Sequence, residues 1–293
     1  MAKVQKLRAR KRGVVLNRSA GGDAGITFFL VILGIFMFIP MYFAIVQSLK
    51  PLDELFIFPP RLYVVNPSLQ NFADLFRFLG TSWVPFSRYL FNTIFIAVLG
   101  TGGNLLLGSM AAYAFSKIKF PGSKGMFFLI TRSLMLHAVA GQIVVFLLLS
   151  WMGLIDNIFS VIIPAWGGVL GIFLMKNYID QNVSDAVLEA ARIDGASEFR
   201  IFSQIVMPMS KPAIYTAIMF SFQGLWNMGQ TVFIYSEQLK TLNYAIQQIV
   251  ALGPLRAGAA AAASVFMMAV PISVFVITQA RIIETMASSG MKD

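Results

Sequence analysis

The chain has no cysteine and only one histidine in 293 residues. It therefore has no means of forming a disulfide framework, a thiolate nucleophile or a cysteine-based metal site. Charge is scarce too: 12% of residues are Asp, Glu, Lys or Arg, against roughly 25% in an ordinary soluble domain. The phosphate-cradling sequence Gly-Lys-Ser/Thr occurs nowhere, and the apolar stretches hold no paired carboxylates and no metal-ligand cluster. The chain is thus expected to have no catalytic residue, to bind no metal or cofactor, and to be neither an ATPase nor a hydrolase.

Apolar side chains are abundant, at 57% of residues, and this points to lipid as the solvent. A helix needs about 20 apolar residues to cross the hydrocarbon core. Six stretches qualify, at about 26–49, 89–115, 126–151, 159–178, 213–235 and 259–283. The net charge of +10 follows the loops instead of marking a nucleic-acid partner. Lys3, Lys6, Arg8, Arg10, Lys11, Arg12 and Arg18 precede the first run, Lys117, Lys119 and Lys124 follow the second, and Lys176, Arg192, Arg200 and Lys211 surround the loop after the fourth. The connection near 153–158 has no Lys or Arg. The positive-inside bias then places both termini and the two basic loops in the cytoplasm. The first run is longer than a signal-peptide core and lacks a small-residue cleavage pattern, so it reads as a retained span.

The resulting division is a basic cytoplasmic segment over 1–25, a six-helix transmembrane bundle over 26–283, and a cytoplasmic tail over 284–293. The loop 50–88 is an ordered external segment by its Pro59-Pro60 and Asn66-Pro67 turn signals, and 179–211 is the long cytoplasmic loop. Gly100, Gly102, Gly103 and Gly108 lie inside an apolar span with no strand before them, so close helix packing suits them better than a nucleotide. Pro40, Pro164 and Pro271 should kink their spans, which neighbouring helices tolerate where freed backbone groups find partners.

The long cytoplasmic loop reads as two short helices. Ser184 is a good N-cap with Asp185 in the first turn, and 186–193 are helix-compatible. Gly195 breaks the helix, and Ser197 can cap a second one in which Phe199, Phe202 and Val206 share a face before Pro208 and Pro212 end it. A charged helix pair of this kind is usually a solvated connector. Here, however, Glu189-Ala190-Ala191, three residues, Gly195, nine residues, Ile205, one residue, and Met207-Pro208 resemble the EAA motif of ATP-binding-cassette importer permeases. Met207 stands where that motif has Leu, and Arg192-Ile193-Asp194-Gly195-Ala196-Ser197 is similar to its carbohydrate-importer version, with Ser184 in place of a usual Pro.

Further stretches are similar, in order, to the maltose-type (MalG-like) permeases: Ser48 to Phe56, Ala111 to Ser116 with Phe120-Pro121-Gly122, Trp226-Asn227, Gln279 to Arg281 and Ser289 to Lys292. Departures fall at His137 to Gln142, which lacks the usual prolines, and at Met228, where Asp is common. The resemblance implies an all-α integral membrane permease of the type I importer kind. Glu189, Ala190, Ala191, Asp194, Gly195, Ala196, Ile205 and Pro208 would dock a separate ATPase, which would carry the ATP and Mg. The other partners implied are a second homologous permease, two ATP-binding subunits and an extracytoplasmic solute-binding protein, in a bacterial inner membrane, with a sugar or oligosaccharide as cargo.

For the pathway, Arg132 and His137 are the ionisable residues of the third stretch, and such residues face a bundle interior more often than lipid. Arg132 lies near the cytoplasmic end, where it is equally suited to snorkelling. Gln223, Trp226 and Asn227 combine an aromatic face with amides, the chemistry that stacks on a sugar ring and bonds its hydroxyls. Trp226 also suits an interfacial belt; the resemblance favours the pathway. The alternative class is a secondary transporter or channel, which normally carries ion-coupling carboxylates in its spans, and none stands clearly inside these.

Overall fold

The computed structural model describes residues 20–80, 83–135, 138–251, 253 and 256–289, and every regular element among them is helical. The chain runs α1 (Ala20–Leu49), α2 (Leu52–Leu55), α3 (Gln70–Gly80), α4 (Phe86–Lys117), α5 (Ser123–Ser133), α6 (Ala138–Trp151), α7 (Phe159–Trp166) and α8 (Val169–Asn182). It continues through α9 (Asp185–Ile193), α10 (Glu198–Ile201), a π-helical turn (Phe202–Val206), α11 (Met207–Met209), α12 (Lys211–Trp226), α13 (Leu242–Ala251) and α14 (Ala257–Ser289). Helix α4 is central and packs along α7, α8 and α12, while α14 packs on α1, α3, α12 and α13.

Among the described residues, four helices are long and apolar enough to cross a bilayer: Gly21–Leu49, Phe86–Lys117, Phe159–Asn182 and Ala257–Ile282. The other two expected spans are not continuous helices. The third is divided between α5 and α6, and His137, in the gap between them, lies outside the described residues. The fifth stops at Trp226 instead of running to residue 235. At 1.5 Å per residue its 16 residues span only about 24 Å, short of a hydrocarbon core of about 30 Å.

Asp156 explains why the apolar residues after Trp226 leave the helix. With φ 57°, it donates its own N–H to Phe233 O at 2.8 Å, and its carboxylate accepts from the N–H of Tyr235 (2.8 Å), the N–H of Ser236 (2.7 Å) and the Ser236 hydroxyl. These bonds replace those a helix would have supplied to the segment. The Ser236 contacts hold the Asp156 carboxyl below its ordinary value of 3.8. The latch is therefore complete above that value and weakens only as pH falls through the lower folded one. Asp156→Ala is expected to destabilise the chain by about 0.5–1.5 kcal/mol, because it removes bonds from three donors that water can replace only in part. The deficit in thermal unfolding should be the same at about pH 6 and pH 8, since the group titrates below both.

Pro271 has no N–H to give the carbonyl four residues back, which is Met267. The Trp226 indole Nε1–H donates to Met267 O at 3.0 Å. Trp226 is 3% exposed and stacks on Phe222 at 5.7 Å between centroids. A proline inside α14 is thus tolerated because α12 supplies the missing donor. In α4, a Cβ at Gly103 would lie 2.1 Å from the Trp166 ring, and one at Gly100 would lie 2.5 Å from Leu225. Their role is close approach of helices, as expected.

Between α1 and α3 the chain is tied by buried polar groups. Lys50 Nζ donates to Arg61 O (2.6 Å), the Glu54 carboxylate accepts from the N–H groups of Val65 (3.1 Å) and Asn66 (2.8 Å), and Asn71 Nδ2 donates to Ser48 O and Lys50 O.

Candidate coupling site and translocation path

Helix α9 begins after Ser184, which holds the N-cap position (φ −70°, ψ 134°) without the side-chain hydrogen bond expected of it. Lys117 at the end of α4 fastens the entrance of the helix in another way: its Nζ donates to Val183 O and to Asp185 Oδ1, both at 2.7 Å. That contact holds the Asp185 carboxyl below its usual range. The helix ends at Gly195, where φ is +78°. Gly195 N–H donates to Arg192 O and Ala196 N–H to Ala191 O, both at 3.0 Å. This paired closure needs a left-handed residue, which glycine adopts without strain.

Ser197 caps α10 by accepting from Arg200 N–H, as its position predicted. Pro208 does not end the helix. A π-turn precedes it, with Met207 N–H reaching back to Phe202 O, and this widening accommodates a ring that would clash with the carbonyl of an ordinary turn. The break comes at Ser210, where the helical stretch Glu198–Met209 meets α12 at 82°. Pro212 then sits in the first turn of α12. The stretch that begins with α10 is therefore set at a steep angle to the span that follows it.

The eight residues expected to dock are divided by the fold. Glu189, Ala190, Asp194, Gly195 and Pro208 are exposed. Ala191, Ala196 and Ile205 turn inward and pack on a core of Leu188, Ile201, Phe202 and Val206, so their role is to hold the two helices together. Ile193 (87% exposed) and Phe199 (68%) instead form the outward apolar surface. Phe199 was expected to share a face with Phe202 and Val206, but only those two are buried. Helical spacing alone could not separate an inward from an outward apolar residue on so short a helix.

Beneath α9 a cleft of about 1040 Å³ opens between 115–124 and the helix, lined by Lys117, Lys119, Lys124, Lys176 and Arg192 with Asp185, Glu189 and Glu198. Arg192 Nε donates to Glu198 Oε1 at 2.8 Å and holds that carboxyl below its usual range.

The residues expected along the path are not gathered. Trp226 faces the core and not a cavity. Arg132 is exposed on α5, 4.9 Å from the Phe128 ring, with a contact to Met135 Sδ. Gln223 lines a cavity of about 170 Å³ beside Pro271 that contains none of the others. Asn227 is exposed at the end of α12, donates to Gln223 O at 3.0 Å and accepts from Asn243 Nδ2 through its carbonyl. A separate, half-open cavity of about 360 Å³ lies between α4, α8 and α12, lined by Asn104, Gly168, Gly171, Ser221, Gly224 and Met228 among others. Asn104, whose Nδ2 donates to Ala165 O at 2.9 Å, had no signal of its own in an apolar span.

A membrane bundle of helices with a half-open cavity between α4, α8 and α12, and a sharp break before α12, fits a transport permease. The chain belongs to the family of binding-protein-dependent transport system inner membrane components, whose model matches residues 104–287. Among its relatives, the arabinooligosaccharides transport system permease protein AraQ of Bacillus subtilis is 25% identical over 91% of this chain and 95% of its own. The polygalacturonan/rhamnogalacturonan transport system permease protein YtcP of the same organism is 27% identical over 71% and 70%. In three dimensions the chain is similar to a bacterial ABC transporter involved in the import of the acidic polysaccharide alginate. That likeness has a TM-score of 0.75 at 25% identity and covers 89% of this chain and 98% of the other.

Proposed function

We propose that this chain forms part of the translocation path for a sugar or oligosaccharide in an ATP-binding-cassette importer and engages a separate ATPase through α9 and α10. The observation that carries the reading is the exposed Ile193 and Phe199 surface beside the glycine-closed turn at Gly195. Large apolar side chains left in water at the rim of a basic cytoplasmic cleft fit a protein partner. Glu189 and Asp194, exposed beside them, supply the charged contacts.

In this reading a second homologous permease completes the path, two ATP-binding subunits hold the ATP and Mg, and an extracytoplasmic solute-binding protein delivers the cargo. Both termini face the cytoplasm of a bacterial cell. Segments 1–25 and 284–293 are then cytoplasmic, 50–88 is external and 179–211 is the coupling loop. The saccharide class is supported by the cargo named for AraQ, YtcP and the alginate importer.

The complete complex with its binding protein, reconstituted in sealed proteoliposomes, provides the test. ATP turnover is measured against neutral oligosaccharides and uronic-acid oligomers. At least one saccharide should raise turnover severalfold. If no member of either class stimulates it, the carbohydrate assignment is wrong, and uptake that proceeds without ATP would establish a secondary transporter instead.

A further inference from the structure

Helix α4 is hydrogen-bonded at both ends to segments remote in sequence. At the end near α9, Tyr113 OH donates to Glu198 Oε2 at 2.5 Å, while Arg192 donates to the other oxygen of the same carboxylate. Lys117 holds the entrance of α9 through Val183 O and Asp185. The helix pair is thus fastened to α4 at its start and, through Glu198, at its central turn.

At the opposite end, Tyr89 OH donates to Glu237 Oε1 at 2.7 Å. Asn92 Nδ2 donates to Gln238 O (2.8 Å) and Lys240 O (2.9 Å), and Thr93 Oγ1 accepts from Leu242 N–H at 2.8 Å. These bonds fix the irregular segment that follows the shortened α12. Between the two ends α4 is one helix of 32 residues with no proline, about 48 Å long, and it buries Ile96, Ala97 and Ala112 completely. A packed, unbroken helix passes a displacement at one end to the other with little bending.

We propose that Tyr113 is a positioning residue for transport: its hydroxyl locks the coupling helix pair to α4, and α4 carries movement of that pair to the segment 237–242 on the far side of the membrane. The inference rests on the reading of α9 and α10 as the ATPase contact. The Tyr113 ring is already held by packing, 4% exposed and 5.7 Å from Phe202. Tyr113→Phe therefore removes the link and leaves the filling of the core intact. The Arg192 and Glu198 pair still holds the loop together without it.

Because the chain has no cysteine, spin labels at Ser203→Cys and Gln238→Cys report on the two ends once the partner chains are cysteine-free. Both positions are exposed. Distance distributions are recorded by electron double resonance on the complete transporter, with and without ATP, magnesium and orthovanadate. The native complex should keep one narrow distribution in both states. With Tyr113→Phe the distribution should broaden or shift on addition of nucleotide, while basal ATP turnover stays within about twofold of native. Glu198→Gln retains an acceptor for the Tyr113 hydroxyl and should remain narrow; Asn92→Ala, which removes the two bonds to Gln238 O and Lys240 O and so loosens the far end, should broaden as Tyr113→Phe does.

If Tyr113→Phe and Asn92→Ala both stay narrow, the strut does not exist. If the native distribution itself changes with nucleotide, α4 is not rigid and the inference also fails. Gly195→Val separates this from the underlying reading. If it uncouples turnover from the binding protein while Tyr113→Phe has no effect, only the strut is lost; if Gly195→Val is itself silent, the ATPase contact is wrong.

Discussion

Gly195→Val is expected to lower ATP-driven uptake by roughly 5–150-fold while the chain still inserts in the membrane at near-normal levels. The turn at Gly195 closes through two 3.0 Å hydrogen bonds that require φ near +78°, and a β-branched residue is a genuine outlier there. Strain of this kind costs about 1–3 kcal/mol. That is too local to unfold packed spans, but as a coupling free energy it corresponds to roughly 5–150-fold. Among the described residues, its two chain neighbours apart, no atom lies within 4 Å of a Cβ built at Gly195, so the effect acts through the path of the backbone and the outward face. Glu189→Lys, which reverses an exposed charge on the same face, should act in the same direction. The check is uptake and binding-protein-stimulated ATP turnover in vesicles, with chain level measured in parallel. Normal stimulated turnover in Gly195→Val would remove α9 and α10 from the coupling role.

Trp226→Ala should destabilise the chain by about 3 kcal/mol, the lower end of the cost of truncating a buried large aromatic, because lipid and not water surrounds the loosened state. Two losses combine. A ring stacked on Phe222 leaves a cavity, and the Met267 carbonyl, already without its helical donor because of Pro271, loses the indole N–H as well. Trp226→Phe retains most of the volume and should cost about 1–3 kcal/mol, the penalty for a buried acceptor left unpaired. A double variant with Pro271→Ala restores a helical donor to Met267 O and should recover much of the Trp226→Phe loss. Thermal unfolding in detergent measures all three. If Trp226→Ala unfolds like the native chain but transports poorly, the ring belongs to the path after all.

These two residues mark the limits of what could be read from sequence. Gly195 was legible because the requirement is local: a glycine between two short amphipathic helices, capped by Ser197, has one geometry that closes the first helix. Trp226 was not, because an aromatic beside an amide looks the same whether it faces a cavity or a carbonyl stranded by a proline 45 positions later in the chain. The fifth span was overextended for a related reason. Val232, Phe233, Ile234 and Tyr235 are apolar enough for a helix, yet Asp156 captures their backbone from another loop.

Composition and periodicity by themselves determined that this protein is helical and lives in lipid, and the caps at 184 and 197 with Gly195 between them made its helix pair legible. Those properties depend on residue type and on spacings of a few positions, which hydration and backbone geometry fix locally. The tertiary structure decided which apolar residues of that pair face outward, where the third and fifth runs break, and that Tyr113 and Asn92 fasten the two ends of α4 to segments 85 and about 150 positions away. Each of those outcomes is a competition for a hydrogen-bond donor, an acceptor or a packing partner. The winner is set by what lies nearby in space, which spacing along the chain does not encode.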